Sequence, residues 1–104
     1  MSNFDQQEID AVIAEAEYAF QKWGTAFDDN NTLNDWVTYI SMYATEAAKI
    51  DNKAYPITQY EKLIKAANLA LTAAKRIRTG TIALRHYDAL ATLTDEGPNA
   101  SNAG

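Results

Sequence analysis

The chain has 104 residues, of which 47% are hydrophobic and 22% charged, and its net charge is −5. This composition is typical of one soluble globular domain. The chain has no cysteine, which excludes disulfides and thiolate sites, and its single histidine, His86, excludes a metal site with several histidines from one chain. No apolar run approaches the ~20 residues of a membrane helix, and the N-terminus lacks the features of a signal peptide. We therefore expect a cytoplasmic protein without a membrane partner.

The charge is distributed unevenly along the chain. Residues 1–52 contain ten acids and two bases, a net charge of −8, whereas residues 53–104 contain seven bases and four acids, a net charge of +3. We expect the acidic half to pack against the basic half, within one chain or across a dimer. The alternative is that the basic half binds phosphate. Because the whole chain is acidic, we expect no nucleic-acid partner.

The first predicted helix covers residues 4–23, because apolar residues recur there at intervals of three and four. Gly24 follows and is suited to end the helix. The apolar face comprises Ile9, Val12, Ile13, Ala16, Ala19, Phe20 and Trp23. Residues 25–33 are predicted to form a polar connection, in which Asp28 and Asp29 favour turns.

The second predicted helix starts near Thr32 or Asn34, and Thr32 with Asp35 resembles a capping box. Its apolar face is aromatic at the start and narrows to alanine, which lets a neighbouring helix approach closely. That face comprises Trp36, Tyr39, Ile40, Tyr43, Ala47 and Ile50. Glu46 is the one carboxylate within the body of this helix.

Pro56 breaks the helical pattern, and Thr58 with Glu61 predicts a capping box for a third helix that runs to about Thr79, before Gly80. Its predicted apolar face comprises Leu63, Ile64, Ala67, Ala70, Leu71, Ala74 and Ile77. We expect its cations to lie on the outer face in solvent, in particular Lys62, Lys65 and Arg76.

A shorter helix is predicted at about residues 82–93, and residues 94–104 are predicted to form a disordered C-terminal tail. Strand patterns are absent, so the predicted fold is all-α: a small helical bundle over residues 1–93, with three main helices, a short C-terminal helix and an αα-hairpin core. A chain of this length buries a modest core. We therefore expect it to oligomerise through helix packing, as a homodimer or higher oligomer.

Four segments, taken in order, resemble small MazG-like proteins, which occur largely in phages and other mobile elements. The segments are QKWG at 21–24, FDDNNTLNDWVTYI at 27–40, YEKLIKAANLALTAAKRI at 60–77 and RHYD at 85–88. The resemblance covers roughly residues 15–90. It implies the all-α fold of a nucleotide pyrophosphohydrolase superfamily. Its members use Mg²⁺ to cleave nucleoside triphosphates to monophosphate and pyrophosphate, and usually form dimers or tetramers.

Catalytic members of that family carry a Glu-Glu-x-x-Glu motif on the second helix and a Glu-x-x-Asp-type pair on the third. Here the first motif falls on Met42, Tyr43 and Glu46, and the pair falls on about Lys62 and Lys65, so four of the five acids are absent. Glu46 is therefore the single candidate metal ligand, and no catalytic residue is assigned. A lone carboxylate with neutral neighbours binds Mg²⁺ weakly.

Each candidate residue also has a structural interpretation. Glu46 can pair with Lys49 or Lys53 instead of a metal ion. His86 and Asp88 point in different directions on a helix, so in RHYD we favour a structural role in which Arg85 or His86 binds a helix end. Five aromatic residues can form a base-stacking pocket, a core or a dimer interface. They are Trp23, Phe27, Trp36, Tyr39 and Tyr43.

The sequence is compatible with three functions. The first is a catalytically degenerate MazG-like module that binds a nucleotide-like small molecule or another protein. The second is a Mg²⁺-dependent pyrophosphohydrolase with an unusual acid set, such as Glu46 with Glu15, Asp28 or Asp29. The third is a purely structural helical oligomer. A preformed aromatic pocket without acids would favour the first, and a cleft in which Glu46 clusters with two or more other acids would favour the second. Complete burial of Trp36 and Tyr43 across subunits, with no cavity left, would favour the third.

Overall fold

The computed structural model describes residues 4–90, which form three long helices and two short ones. The helices are α1 (Gln6–Trp23), α2 (Ala26–Asn30), α3 (Leu33–Lys49), α4 (Pro56–Arg78) and α5 (His86–Leu90). No strand occurs in this part of the chain, apart from an isolated bridge between Thr32 and Ala83. The prediction of an all-helical fold is confirmed. The end of the predicted domain at residue 93 and the predicted tail 94–104 lie outside the described residues.

Three predicted helix-end signals are confirmed, and each involves residues that are close together in the sequence. At the start of α3, Thr32 Oγ1 accepts a hydrogen bond from the Asp35 amide, and Asp35 Oδ2 accepts one from the Thr32 amide at 2.9 Å. This is the predicted capping box. Gly24 follows α1 with a φ of 66°, and Gly80 lies two residues after the end of α4 with a φ of 69°. Glycine adopts this left-handed conformation without steric cost.

Three predicted boundaries are wrong. The connection over residues 25–33 contains the short helix α2. The capping box at Thr58 and Glu61 does not form, because α4 already begins at Pro56, with Tyr55 as its N-cap residue. Proline fits the first helical position, since its φ is fixed near the helical value and the missing N–H has no partner there in any helix. The last short helix begins at His86 rather than near residue 82.

The helices α3 and α4 form an αα-hairpin in which the end of α3 meets the start of α4. Gln59 Nε2 joins them, because it donates to the carbonyl oxygens of Ala47 and Ile50 at 3.0 and 3.3 Å. These carbonyls lie at the end of α3, where the regular helical donors run out, and the Ala47 carbonyl also accepts from the Ile50 amide at 3.2 Å. One side chain of α4 therefore completes the last turn of α3 and closes the hairpin.

The first helix packs along another flank of α4 and runs in the same direction. Tyr60 OH donates to Glu8 at 3.0 Å, and one turn further along α4 the Lys65 ammonium lies 3.2 Å from Glu15. α4 therefore lies between α1 and α3 and contacts both. None of the helices within residues 4–90 combines the length and apolar character needed to cross a bilayer.

Three ion pairs connect the acidic half of the chain to the basic half. They are Lys65 with Glu15 at 3.2 Å, Lys62 with Glu46 at 3.6 Å and Arg76 with Asp29 at 3.0 Å. The predicted packing of the two halves is confirmed within one chain. The predicted solvent exposure of Lys62, Lys65 and Arg76 is wrong, because their side chains are only 15–31% exposed.

The apolar face predicted for α4 is largely open to solvent, although Ile64 and Ala67 are half-buried. Leu63 is 52% exposed, Leu71 62% and Ile77 53%, whereas Ala66 and Ala73 are buried. Small residues there allow close approach, and the long stems of the three cations pack along the same side. The buried hydrophobic core of the described residues consists of Trp36, Ala47, Ala66 and Ala73.

Candidate functional site

The five aromatic residues singled out in the sequence line one cavity of about 470 Å³. The cavity lies between the last turns of α1, the first turns of α3 and the middle of α4. Its lining includes Trp23, Phe27, Trp36, Tyr39 and Tyr43. A sixth ring, Tyr18, was missed because it lies off the apolar face of α1. The signal that could have found it is its spacing of four residues from Lys22, which places the two side chains together on the helix.

Three elements position these rings. Tyr18 and Trp23 come from the last turns of α1, and Gly24 then turns the chain so that α2 brings Phe27 back against Trp23. The two rings meet edge to face, with centroids 6.2 Å apart and an interplanar angle of 86°. The remaining three rings, Trp36, Tyr39 and Tyr43, occupy one face of α3. The α1 and α3 rings therefore face each other across the side of α4.

The inner wall of the cavity carries polar groups that are buried. Trp36 is completely buried, and its indole N–H has no hydrogen-bond acceptor within residues 4–90. Asn68 is 7% exposed and its Oδ1 accepts a long hydrogen bond of 3.4 Å from Thr72. A buried donor without an acceptor costs roughly 1–3 kcal/mol.

The charged groups in the lining are two lysines and two acids. Lys65 is paired with Glu15 at 3.2 Å. Lys22 has no carboxylate partner in the described part of the chain; its ammonium lies 5.5 Å from the centroid of Tyr18 and donates to the hydroxyl of that residue at 3.2 Å. The fourth group is Asp28, which is half-buried.

The protonation of Asp28 responds to its surroundings. Burial raises the pKa of the Asp28 carboxyl, the positive charge of Arg76 partly opposes that shift, and the negative charge of Asp29 adds to it. The cost of keeping Asp28 ionised is therefore higher in the folded protein than in the unfolded chain. Its negative charge is lost at a higher pH than that of a solvated aspartate.

Glu46 lies outside the cavity lining, beside Lys62. Its Oε2 is 3.6 Å from the Lys62 ammonium, which is an ion-pair distance but longer than a hydrogen bond, so this oxygen has no hydrogen-bond partner among the described residues. The same ammonium lies 5.5 Å from the ring centroid of Tyr43. The predicted partner of Glu46 is wrong, because the ion pair is with Lys62 rather than with Lys49 or Lys53.

The surroundings of Glu46 do not fit a Mg²⁺ ligand, because an ammonium and an aromatic ring occupy its neighbourhood. The acids considered as an unusual set are also held separately, with Glu15 on Lys65 and Asp29 on Arg76. Within residues 4–90 no three acidic or histidine side chains are grouped as a metal site requires.

The RHYD segment joins the end of the described chain to the start of α3. Arg85 Nε donates to Asp88 at 2.6 Å, and Arg85 Nη1 donates to the Asn34 side chain at 3.1 Å. Hydrogen bonds from Arg85 lower the pKa of the Asp88 carboxyl. The predicted structural role is confirmed for Arg85, which binds the first turn of α3. His86 is exposed.

No protein-family model, curated protein or solved structure matches this chain. The MazG-like resemblance therefore stays a prediction. The features of the molecule that bear on its function are the geometry of the aromatic cavity and the exposed apolar surfaces.

Proposed function

We propose that this protein is a non-catalytic, MazG-like helical module that binds a nucleotide-like small molecule in the aromatic cavity. The observation that carries the proposal is the convergence of the five aromatic side chains on one cavity beside Lys22 and Lys65. Its volume of about 470 Å³ falls within the range of roughly 300–1,000 Å³ found for small-molecule sites.

The chemistry of the lining suits a flat heteroaromatic ring that carries negative charge. Trp23 and Phe27 are more than half exposed, so part of each ring is accessible to a ligand. Any base can stack on an aromatic side chain, because every base has a π-face. Lys22 lies 5.0 Å from the ring centroid of Trp23, which places a positive charge next to the stacking surface. A ligand that stacks on Trp23 would meet that charge with an attached anionic group.

Replacement of Trp23 by leucine should weaken the binding of nucleotides roughly 10- to 100-fold, which corresponds to the ~1–3 kcal/mol that stacking of one base contributes. Ligands can be found first with the wild type, because both tryptophans of the chain line the cavity and report binding by fluorescence. The affinities of wild type and variant are then measured by isothermal titration calorimetry.

The control for Trp23→Leu is Tyr55→Leu. Tyr55 is a 63% exposed aromatic residue before α4 and does not line the cavity. We expect its replacement to leave nucleotide affinity unchanged. Equal loss of affinity in the two variants, or no binding of any nucleotide by the wild type, would contradict the proposed site.

Self-association is the second part of the proposal, and the exposed face of α4 supports it. Five residues of α4 follow each other at steps of four, three, four and three: Leu63, Ala67, Ala70, Ala74 and Ile77. This spacing forms a seam along one side of a helix, as in coiled coils. The seam is about 21 Å long, because an α-helix rises about 1.5 Å per residue.

The order of residue sizes in this seam is the same from either end. A large residue lies at each end, with three alanines between them. In an antiparallel pair with its twofold axis at Ala70, Leu63 of one copy would lie opposite Ile77 of the other, and the alanines would allow close approach. We therefore propose a second copy of this chain as the occupant of the α4 seam.

The neighbouring apolar surface extends the seam towards the size of a stable interface. Ile13 and Phe20 of α1 and Leu71 of α4 share one groove, and each is more than half exposed. Together with Leu63 and Ile77 they offer roughly 500 Å² of the about 800 Å² that each partner buries in a standard interface. The alanines and flanking polar residues supply the remainder.

The catalytic alternative is tested through Glu46. We expect Glu46→Ala to release pyrophosphate from nucleoside triphosphates no differently from the wild type, with Mg²⁺ or Mn²⁺, because Glu46 is neutralised by Lys62. The measurement is a pyrophosphate assay over a panel of ribo- and deoxynucleoside triphosphates. Glu17→Ala, which removes an exposed acid of α1, is the control. Turnover by the wild type and by Glu17→Ala that is lost in Glu46→Ala would establish an enzyme instead.

A further inference from the structure

We propose that the aromatic cavity selects a ligand with a single phosphate group over the same ligand with three phosphates or with none. This inference rests on the proposed function, because it assigns the charge of the ligand that the cavity takes. Two features of the lining support it. The first is which of its groups are buried and which are exposed, and the second is how many of its cations are not already paired with a carboxylate.

The lining has a buried end and an exposed end. Trp36 and Asn68 are buried, whereas Trp23 and Phe27 are more than half exposed and Tyr39 is 43% exposed. The exposed rings of Trp23 and Phe27 offer the surface on which a base can stack. The base and the charged group attached to it therefore both belong at the exposed end, next to Lys22.

One cation is available at the exposed end. The Lys22 ammonium lies over the rings of Tyr18 and Trp23, at 5.5 and 5.0 Å from their centroids, and is not paired with any carboxylate of residues 4–90. Lys65 is already paired with Glu15. One phosphate can be met by Lys22, so a monophosphate gains an attraction that a neutral nucleoside lacks.

Two carboxylates in the lining oppose further negative charge. Glu15 and Asp28 balance Lys22 and Lys65, so the formal charge of these four groups is zero. The second and third phosphate groups of a triphosphate would lie against this surface, which has no net formal charge. Like charges within a few ångströms repel, and the repulsion is stronger where the groups are partly buried. The additional phosphates therefore add repulsion without a matching cation.

The test compares adenosine, AMP and ATP, and the corresponding uracil compounds, with the full chain by calorimetry at constant ionic strength and without divalent ions. We expect the monophosphate to bind at least about tenfold more tightly than either the nucleoside or the triphosphate. Omitting divalent ions ensures that the charges of the protein alone decide the order of affinities.

Two variants and a control connect the order of affinities to named groups. Lys22→Met keeps the length of the side chain and should reduce the affinity for the monophosphate to that for the nucleoside, without changing the latter. Asp28→Asn should reduce the difference between the affinity for the monophosphate and the affinity for the triphosphate. Lys53→Met removes an exposed lysine that does not line the cavity and should change nothing.

The outcomes separate this inference from the proposed function. Tighter binding of the triphosphate than of the monophosphate would overturn the charge selectivity while leaving a nucleotide-binding cavity. Equal affinities of Lys22→Met and wild type for the monophosphate would overturn the role of Lys22 in the same way. No binding of any of the six compounds would overturn the proposed function and this inference with it.

Discussion

Trp36→Ala should lower the free energy of unfolding by about 3–5 kcal/mol, as removal of a buried tryptophan side chain does in other proteins. Trp36 is the largest fully buried side chain of the described residues, and the other core residues are alanines. Its indole N–H has no hydrogen-bond partner within residues 4–90, so the loss is one of packing rather than of a hydrogen bond. Domains have about 5–15 kcal/mol of stability in total, so the variant should be close to unfolded. Urea denaturation followed by circular dichroism measures the change.

The matched control is Trp23→Ala, because Trp23 is 57% exposed and has lost little of its surface on folding. Its replacement should lower the free energy of unfolding by less than about 1.5 kcal/mol, as is usual for positions at the surface. The conservative Trp36→Phe should fall between the two, since it keeps a large ring in the core. Equal losses for Trp36→Ala and Trp23→Ala would contradict the assignment of Trp36 to the core.

Ala70→Glu should convert a dimer into a monomer, because the twofold axis of the proposed α4 pair would bring the two new carboxylates together. Burial of an unpaired charge costs about 3–5 kcal/mol, which corresponds to a roughly 10²- to 10³-fold weaker association. Alanine and glutamate have similar helix propensities, so the helix itself should be retained. Sedimentation equilibrium over a range of protein concentrations measures the association, and circular dichroism checks the helix content.

The control for Ala70→Glu is Thr45→Glu, which adds the same charge at an exposed position in the middle of α3, away from the seam. This variant should associate as the wild type does. A monomeric wild type at high micromolar concentration, or an Ala70→Glu variant that still dimerises, would show that the α4 seam is not the interface. The exposed face of α4 would then require a partner other than a second copy of this chain.

The signals within single helices were predicted well from the sequence. The capping box of Thr32 with Asp35 depends on residues three apart, and the turns at Gly24 and Gly80 depend on one residue each. Such interactions form whatever the rest of the chain does. The prediction at Thr58 is wrong because Pro56 and Thr58 are both suitable helix starts, and the sequence alone does not show which of them begins the helix.

The orientation of α4 could not be predicted from its pattern. A stripe of leucine, isoleucine and alanine normally faces the core, yet here Lys62, Lys65 and Arg76 face the neighbouring helices. The reason is that each cation meets an acid of another helix. Those acids lie 16 to 50 residues away in the chain, and their proximity depends on the packing of all three long helices.

The all-helical fold, the positions of the long helices and the five aromatic residues could be read from the sequence, because periodicity, caps and glycines act over a few residues. The meeting of Trp23 and Phe27 with Trp36, Tyr39 and Tyr43 in one cavity could not, nor could the lack of a carboxylate partner for Lys22 within residues 4–90. These side chains come from three separate helices. Their meeting depends on the turn at Gly24 and on the ion pairs that set α1 and α3 against α4, which are contacts between residues distant in the chain.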